Sequence, residues 1–326
     1  MLNKIYMAPV GQYNPQLLFA TDVLDDLDVD CMAAARKQKI KIIGMVRSWD
    51  NLSSGGLVQL LPDTLLLWNP FLYMVATRRQ HIPERILKIV GIPHYDWYAK
   101  PEIIMPRDVF LRRLGIDPKK KIVLFAGIGD FLNPHEPEVA EIISELVTSG
   151  KLGGDIEVIF RPHPNFMVNR ERIKKLPHII FDDGVASYTG NEKTSWEMDQ
   201  EKISHLVNSL YHADVVITTA STITMDAVSF DKPVICIAFD GKSKEVYENS
   251  VKRFYHDYTH YIWISRTHGF RTVNSKDELE QAMVDYLSNP HLDEKGRKKI
   301  VDEFIWKLDG QSARRVAEHL RAGLKT

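Results

Sequence analysis

The stretch Asp214-Val215-Val216-Ile217-Thr218-Thr219-Ala220-Ser221-Thr222-Ile223-Thr224-Met225-Asp226-Ala227 decides the fold. Its first six residues read as a buried strand. A small, hydroxyl-rich turn comes next and opens a helix, and the run PVICIAF at 233–239 reads as the next strand. Strand, turn, helix, strand is the repeating unit of a helix-covered parallel sheet. Such a turn presents backbone N–H groups and hydroxyls at the positive end of a helix dipole, which is a place to hold phosphate. Ser221 and Thr222 are the candidate phosphate contacts. Asp226, one turn into the helix, is the candidate acceptor for ribose hydroxyls. The competing reading is an ordinary helix start, with Ser221 or Thr222 as N-cap and no ligand.

The same alternation extends outward from this unit. KIVLFA at 121–126, DIEVIF at 155–160 and IIF at 179–181 read as strands. The intervening segments 136–149 and 170–175 read as helices, the first with Val139, Ile142, Ile143 and Leu146 on one side. Segments 276–288, 298–308 and 312–320 read as the final helices, and 247–261 as aromatic and irregular, with Tyr255, Tyr258 and Tyr261 spaced for one packed helical stripe. Toward the N-terminus, QLLFA at 16–20, IIGMV at 42–46, TLLLW at 64–68 and LKIV at 87–90 read as four more strands, with helices over 24–39 and near 70–80. A connector with Pro101 and Pro106 separates the two series. The expected architecture is α/β: two Rossmann-like domains facing across a cleft, at residues 1–100 and 101–311. A last helix, at 312–326, crosses back toward the first domain.

Polar features cluster just after the predicted strands, where open α/β sheets bind ligands. Gly127 and Gly129 form a GxG turn that either admits a ligand to the backbone or is a plain βα turn. It lacks the third glycine of a dinucleotide fingerprint, which argues against NAD or FAD. Arg161-Pro162-His163-Pro164 sets two basic side chains on a backbone stiffened by proline. Arg161 is suited to fork onto a phosphate, and His163 to donate to a phosphate oxygen or act as an acid. The alternative is a rigid turn with a structural histidine. Asp50 in Trp49-Asp50-Asn51 is either the general base for an attacking hydroxyl or the cap of a short helix. Asp240 follows the strand at 233–239 and is a further candidate ligand contact. Glu197 and Asp199, in the polar segment 182–202, are candidates for sugar or acceptor contacts, with Glu197 the alternative base.

Bulk properties narrow the classes. Of 326 residues, 44% are apolar, enough for two cores. Forty-two basic and 43 acidic residues give a formal net charge of -1, so bulk electrostatic capture of nucleic acid is not expected. Cys31 and Cys236 have no CxxC partners and read as thiols in a reducing compartment. The histidines after residue 250 lack the spacing of a metal site, so no metal is expected. With no leader and no long apolar run, the expected location is cytoplasmic, leaving open docking at the inner face of a membrane.

Five motifs together resemble the GT-B superfamily of nucleotide-sugar-dependent glycosyltransferases: VRSWDNLSS at 46–54, RPHP at 161–164, SWEMD at 195–199, TTASTITMDA at 218–227 and FDKPVICIAFDG at 230–241. The likeness is greatest to surface-polysaccharide transferases near the UDP-N-acetylglucosamine 2-epimerases and CDP-glycerol glycerophosphotransferases. It implies a metal-independent glycosyltransferase with a nucleoside-diphosphate sugar as donor substrate and no separate cofactor. The acceptor implied is a glycan or lipid-linked hydroxyl. It also implies that the C-terminal domain holds the nucleotide, with Ser221 and Thr222 at the diphosphate and Asp226 in a ribose role usually filled by glutamate. The alternatives are a CDP-activated polyol-phosphate transferase, a 2-epimerase, and a non-catalytic nucleotide-sugar-binding subunit. The N-terminal domain enters partway through the superfamily's usual run of βα units. That implies either a sequence trimmed at its start or a shortened acceptor domain, with oligomerisation or a partner subunit expected to supply the rest.

Overall fold

The structure is a computed structural model that describes residues 12–164, 166–185 and 199–325. Two units divide the chain: residues 1–99 with 301–326, and residues 100–300.

The first unit begins with β1 (Leu17–Ala20), α1 (Asp26–Lys37), β2 (Lys41–Met45), α2 (Asn51–Ser54), β3 (Thr64–Leu67), α3 (Pro70–Arg78) and β4 (Leu87–Ile89). The strands are parallel and lie in sequential order β1-β2-β3-β4. Local chemistry sets the helix limits. Asp25 caps α1 by accepting the Leu27 N–H at 3.0 Å. The chain leaves α1 through Lys39 at φ 60°, a left-handed residue just past the helix end. Asn69 caps α3 through the Leu72 N–H at 2.8 Å, with Pro70 as the first helical residue.

The second unit holds α4 (Arg107–Arg113), β5 (Lys121–Ala126), α5 (Glu136–Thr148), β6 (Ile156–Arg161), α6 (Arg170–Ile173), β7 (Ile179–Phe181), α7 (Gln200–His212), β8 (Val215–Thr218), α8 (Ile223–Val228), β9 (Val234–Ile237), α9 (Arg253–His256), α10 (Thr259–Ser265), β10 (Arg271–Val273), α11 (Lys276–Ser288) and α12 (Glu294–Ile300). Its six strands are parallel in the order β10-β9-β8-β5-β6-β7. Numbered from β5, this is the doubly wound dinucleotide-fold order 3-2-1-4-5-6 read from the other edge. Val139, Ile142, Ile143 and Leu146 of α5 join Val123, Phe125, Val158 and Phe160 in one buried cluster. Phe125 and Phe160 meet edge to face at 5.1 Å. Each large apolar side chain so buried contributes about 1.5–3 kcal/mol.

The segment 298–308, read as one helix, is broken. After α12 the chain makes a π-turn, Val301–Ile305, closed by the Trp306 N–H onto the Val301 carbonyl at 2.6 Å. Trp306 then takes φ 82°. Packing explains the break: Phe304 lies 4.8 Å from the Phe71 ring and edge-on to Trp49, and its carbonyl accepts the Asn69 side-chain amide. The second unit therefore ends at Ile300 rather than at residue 311. The last helix, α13 (Ser312–Leu324), lies on the first sheet, with Gly323 against Ile43 and Leu17. Two predicted features differ in the second unit as well. Segment 247–261 contains α9 and the start of α10, separated at Asp257 and Tyr258. Tyr255 and Tyr261 are buried while Tyr258 is exposed, so the three do not form one stripe. The short strand β10 has no counterpart among the predicted elements.

Candidate functional site

In the second sheet the strand order reverses between β5 and β8. At such a point the loops leave the carboxyl ends of neighbouring strands in opposite directions and open a crevice for a ligand. Among the described residues the first sheet is sequential and shows no reversal.

The turn after β8 is the first wall. Among the described residues, the backbone N–H groups of Ser221 and Thr222 make no hydrogen bond. Thr222 is the N-cap of α8 by position, yet its side chain makes no capping bond. The Ser221 hydroxyl is only a 3.5 Å acceptor for the Ile223 N–H. Ordinary capping thus leaves the hydroxyl-rich turn largely unexplained. Thr219, 1% exposed, has a hydroxyl with no hydrogen-bond partner. Such a group costs free energy unless something satisfies it. The turn is held from behind by two buried tyrosines. Tyr255 Oη accepts the Ala220 N–H and donates to the Ile237 carbonyl, each at 2.9 Å. Tyr261 Oη donates to the Ser221 carbonyl at 2.6 Å. Asp226 is buried on α8 at 8% exposure.

The loop after β5 is the second wall. Glu136, fully buried at the head of α5, accepts the N–H groups of Ile128 at 2.6 Å and Gly129 at 3.1 Å. Burial pushes its carboxyl up to about 7 despite these two bonds. The missing side chain of Gly127 makes room for this carboxylate, which would stand 2.5 Å from a Cβ there. Gly129, at φ 83°, would place a Cβ 2.3 Å from that of Phe166. Both glycines are thus accounted for by close internal packing, with no ligand needed to explain them. Asn133 is fully buried, and its side-chain N–H group has no partner.

The loop after β6 carries the RPHP motif. Arg161 is buried at the end of β6. His163 stacks on Phe166 at 4.6 Å, and Phe166 on the exposed Phe131 at 5.4 Å. Burial, with the Arg161 charge added, pulls the His163 imidazole down to about 4. His163 is therefore neutral at pH 7. It carries no standing charge there.

Three predicted positions have internal partners. Asp240 accepts the Ser250 hydroxyl at 2.7 Å and the Val251 N–H at 2.9 Å, bracing the loop after β9. Asp50, in the first unit, takes the hydroxyls of Ser48 and Ser54 on its carboxylate, while its backbone carbonyl takes those of Ser53 and Ser54. Asp199 caps α7 through the Lys202 N–H at 2.8 Å. Glu197 lies outside the described residues. Sequence reasoning missed Glu136, Thr219 and Asn133, which lie buried in or beside these loops, and saw the tyrosines only as a stripe. An acid at a helix start ordinarily signals a solvent-exposed cap, so only the close approach at Gly127 reveals its burial. Among the described residues, no group of three or more His, Cys, Asp or Glu is placed to hold a metal, and no helix is long and apolar enough to cross a membrane.

Comparison with known proteins gives the lineage. No curated protein sequence matches the chain. Among solved structures, the chain is similar to a complex of S. aureus MnaA with UDP, at TM-score 0.62 and 14% identity over 99% of this chain and 80% of that one. It is similar to the Neisseria meningitidis UDP-GlcNAc 2-epimerase bound to UDP-GlcNAc, at 0.59 and 14% over 98% and 80%. It is also similar to the wall teichoic acid polymerase TagF, at 0.54 and 13% over 87% and 69%. At such identities the likeness is one of fold, two Rossmann-like domains of the GT-B kind. Sequence narrows it further: residues 62–321 match the family described as CDP-glycerol:poly(glycerophosphate) glycerophosphotransferase. The match runs from the approach to β3 into α13 and takes in the whole second unit, and on that extent the chain belongs to this family.

Proposed function

We propose that the chain is a transferase that takes a polyol phosphate from a CDP-activated donor and delivers it to a hydroxyl of a surface polymer. The carrying observation is the reversal of strand order between β5 and β8, with the unbonded N–H groups of Ser221 and Thr222 in the turn that follows β8. Family membership supports this donor class.

In this reading the acceptor oxygen attacks the phosphorus that bears the polyol. The bond from that phosphorus to the bridging oxygen breaks, and CMP leaves. Charge develops on the departing phosphate, where preorganised N–H donors stabilise it most. Ser221, Thr222 and Arg161 supply those donors, and Asp226 receives the ribose. His163, neutral at rest, hydrogen-bonds a phosphate oxygen. Asp50 takes the acceptor's proton.

A second reading has one supporting observation. Two structures of similar fold carry UDP or UDP-GlcNAc, which favours a nucleotide-sugar donor and sugar transfer. The released nucleotide separates the two. Polyol-phosphate transfer from CDP-glycerol liberates CMP, whereas sugar transfer liberates a nucleoside diphosphate. Incubation with CDP-glycerol or UDP-GlcNAc and a hydroxyl acceptor, followed by chromatography of the nucleotides, should yield acceptor-dependent CMP. Release of UDP alone would transfer the case to the second reading, and release of neither would refute both. Thr222→Ala should keep the fold and weaken donor binding by about 1–3 kcal/mol.

A further inference from the structure

We propose that Tyr255 and Tyr261 are positioning residues that fix the peptide planes of the turn at 219–222, so that the Thr222 N–H faces a phosphate. The inference rests on the reading of that turn as the phosphate site.

The turn needs an external brace. Helix α8 has six residues and its N-cap makes no side-chain bond, so the helix start holds the Ser221 peptide only through the Thr224 N–H, which donates to the Ser221 carbonyl at 3.1 Å. Tyr261 adds a second, shorter hold on that carbonyl. Its hydroxyl holds the Ser221 carbonyl at 2.6 Å. That carbonyl and the Thr222 N–H belong to one planar, trans peptide, in which C=O and N–H point in opposite directions. Pulling the carbonyl toward the buried tyrosine therefore turns the Thr222 N–H away from it. The unbonded donor is normal at a helix start, and the buried hydroxyl on the other side of the peptide fixes the direction it faces.

Tyr255 does a complementary job. It takes the Ala220 N–H for itself and passes its own proton to the Ile237 carbonyl at the end of β9. Ala220 is thereby removed from the set of donors, and the turn is tied to the neighbouring strand. The two rings meet edge to face at 5.5 Å, and Tyr261 Oη lies 3.1 Å from Thr224 Oγ1 on α8. Segment 253–261 is thus a buttress for the turn. Burial holds both phenols well above 10, so they remain donors across the working pH range. The unsatisfied Thr219 hydroxyl at the same turn is an independent sign that a polar ligand completes the site.

The test is calorimetric titration of CDP into wild type, Tyr255→Phe, Tyr261→Phe and a control, Tyr286→Phe. The control removes a buried hydroxyl bonded to Asp293 at 2.7 Å on α11, within the same unit but not at the turn. Each of the first two variants should raise the Kd for CDP by about fivefold to tenfold, the loss of one hydrogen bond's worth of orientation. The control should not. Affinity for cytidine, which has no phosphate, should stay at the wild-type level in all four; a general loosening of the unit would lower it together with that for CDP. Should either phenylalanine variant fail to fold, Thr224→Val, which removes the 3.1 Å contact with Tyr261 along with a weaker 3.6 Å contact with Cys236 Sγ, should raise the Kd by about twofold to fivefold. Wild-type CDP affinity in the folded variants overturns the brace. No CDP binding by the wild type overturns the phosphate reading itself, and the brace with it.

Discussion

Replacing Glu136 with glutamine should abolish the pH dependence of stability that this carboxyl imposes on the second unit. In the folded chain the group is lifted from 4.5 to about 7 by burial. A carboxyl with a raised folded value is held more tightly as the neutral acid. It costs nothing below pH 4.5, where both states are protonated. Its penalty then grows as pH rises through the interval to 7, because folding must bury an anion that water would solvate. The interval of about 2.5 pH units, at about 1.36 kcal/mol each, makes about 3 kcal/mol. A glutamine side chain carries no such term. It does lose one acceptor, leaving either the Ile128 or the Gly129 N–H unmatched, at a cost of about 1–3 kcal/mol independent of pH. Glu136→Gln should therefore be the less stable protein at pH 5 and draw level with or pass the wild type by pH 8. Urea unfolding of both proteins at pH 5, 6, 7 and 8 measures the difference, in which all other titrations cancel. A difference that stays constant across that range would refute the buried-anion account.

Three other outcomes rest on the same geometry. His163, held down at about 4, should cost stability as pH falls from 6.5 toward 4, because the unfolded chain takes up the proton first. The total is about 3 kcal/mol, and His163→Gln should abolish it in acid unfolding curves. Asp50→Asn should leave CDP affinity unchanged and cut turnover by roughly 10²–10⁴-fold in the nucleotide-release assay. Full activity in that variant would reduce Asp50 to a brace for its own serine-rich loop. Asp96 accepts the N–H groups of Ser312 at 2.9 Å and Ala313 at 2.8 Å, capping α13 from outside the helix. Asp96→Ala should lower the melting stability of the first unit by about 1–2 kcal/mol, and an unchanged calorimetric transition would disprove the cap.

The alternation of strands and helices was legible because parallel strands buried on both faces read as short apolar runs. KIVLFA at 121–126 and the helix at 276–288 coincide with β5 and α11 to the residue. What escaped depends on neighbours far along the chain. Arg271-Thr272-Val273 carries no apolar run, and only pairing with β9 makes it a strand. Helical periodicity continues across 298–308, but Phe304 is claimed by Phe71 and Trp49, and the helix yields. At the site, the loops were legible as sequence placed just after strands. Their internal assignments were not: Asp240 looks like a ligand contact until Ser250 and Val251 arrive at its two oxygens. The glycines of the GxG turn look like room for a ligand until Glu136 and Phe166 fill it.

The first unit is assembled from the two ends of the described chain, with the whole of residues 100–300 inserted between them. That arrangement sets an order of events during synthesis. The second unit is continuous, so its six strands can pair while the ribosome is still making residues 301–326. The first sheet, packed on β1 and β2 by α1, must wait with its remaining apolar surface uncovered until α13 emerges, roughly 200 residues after residue 99. Loop closure over such a span is slow and leaves apolar surface open in the meantime. A chain cut short before residue 301 would thus retain its second unit whole and hold an unfinished first one, whose exposed sheet would seek another partner.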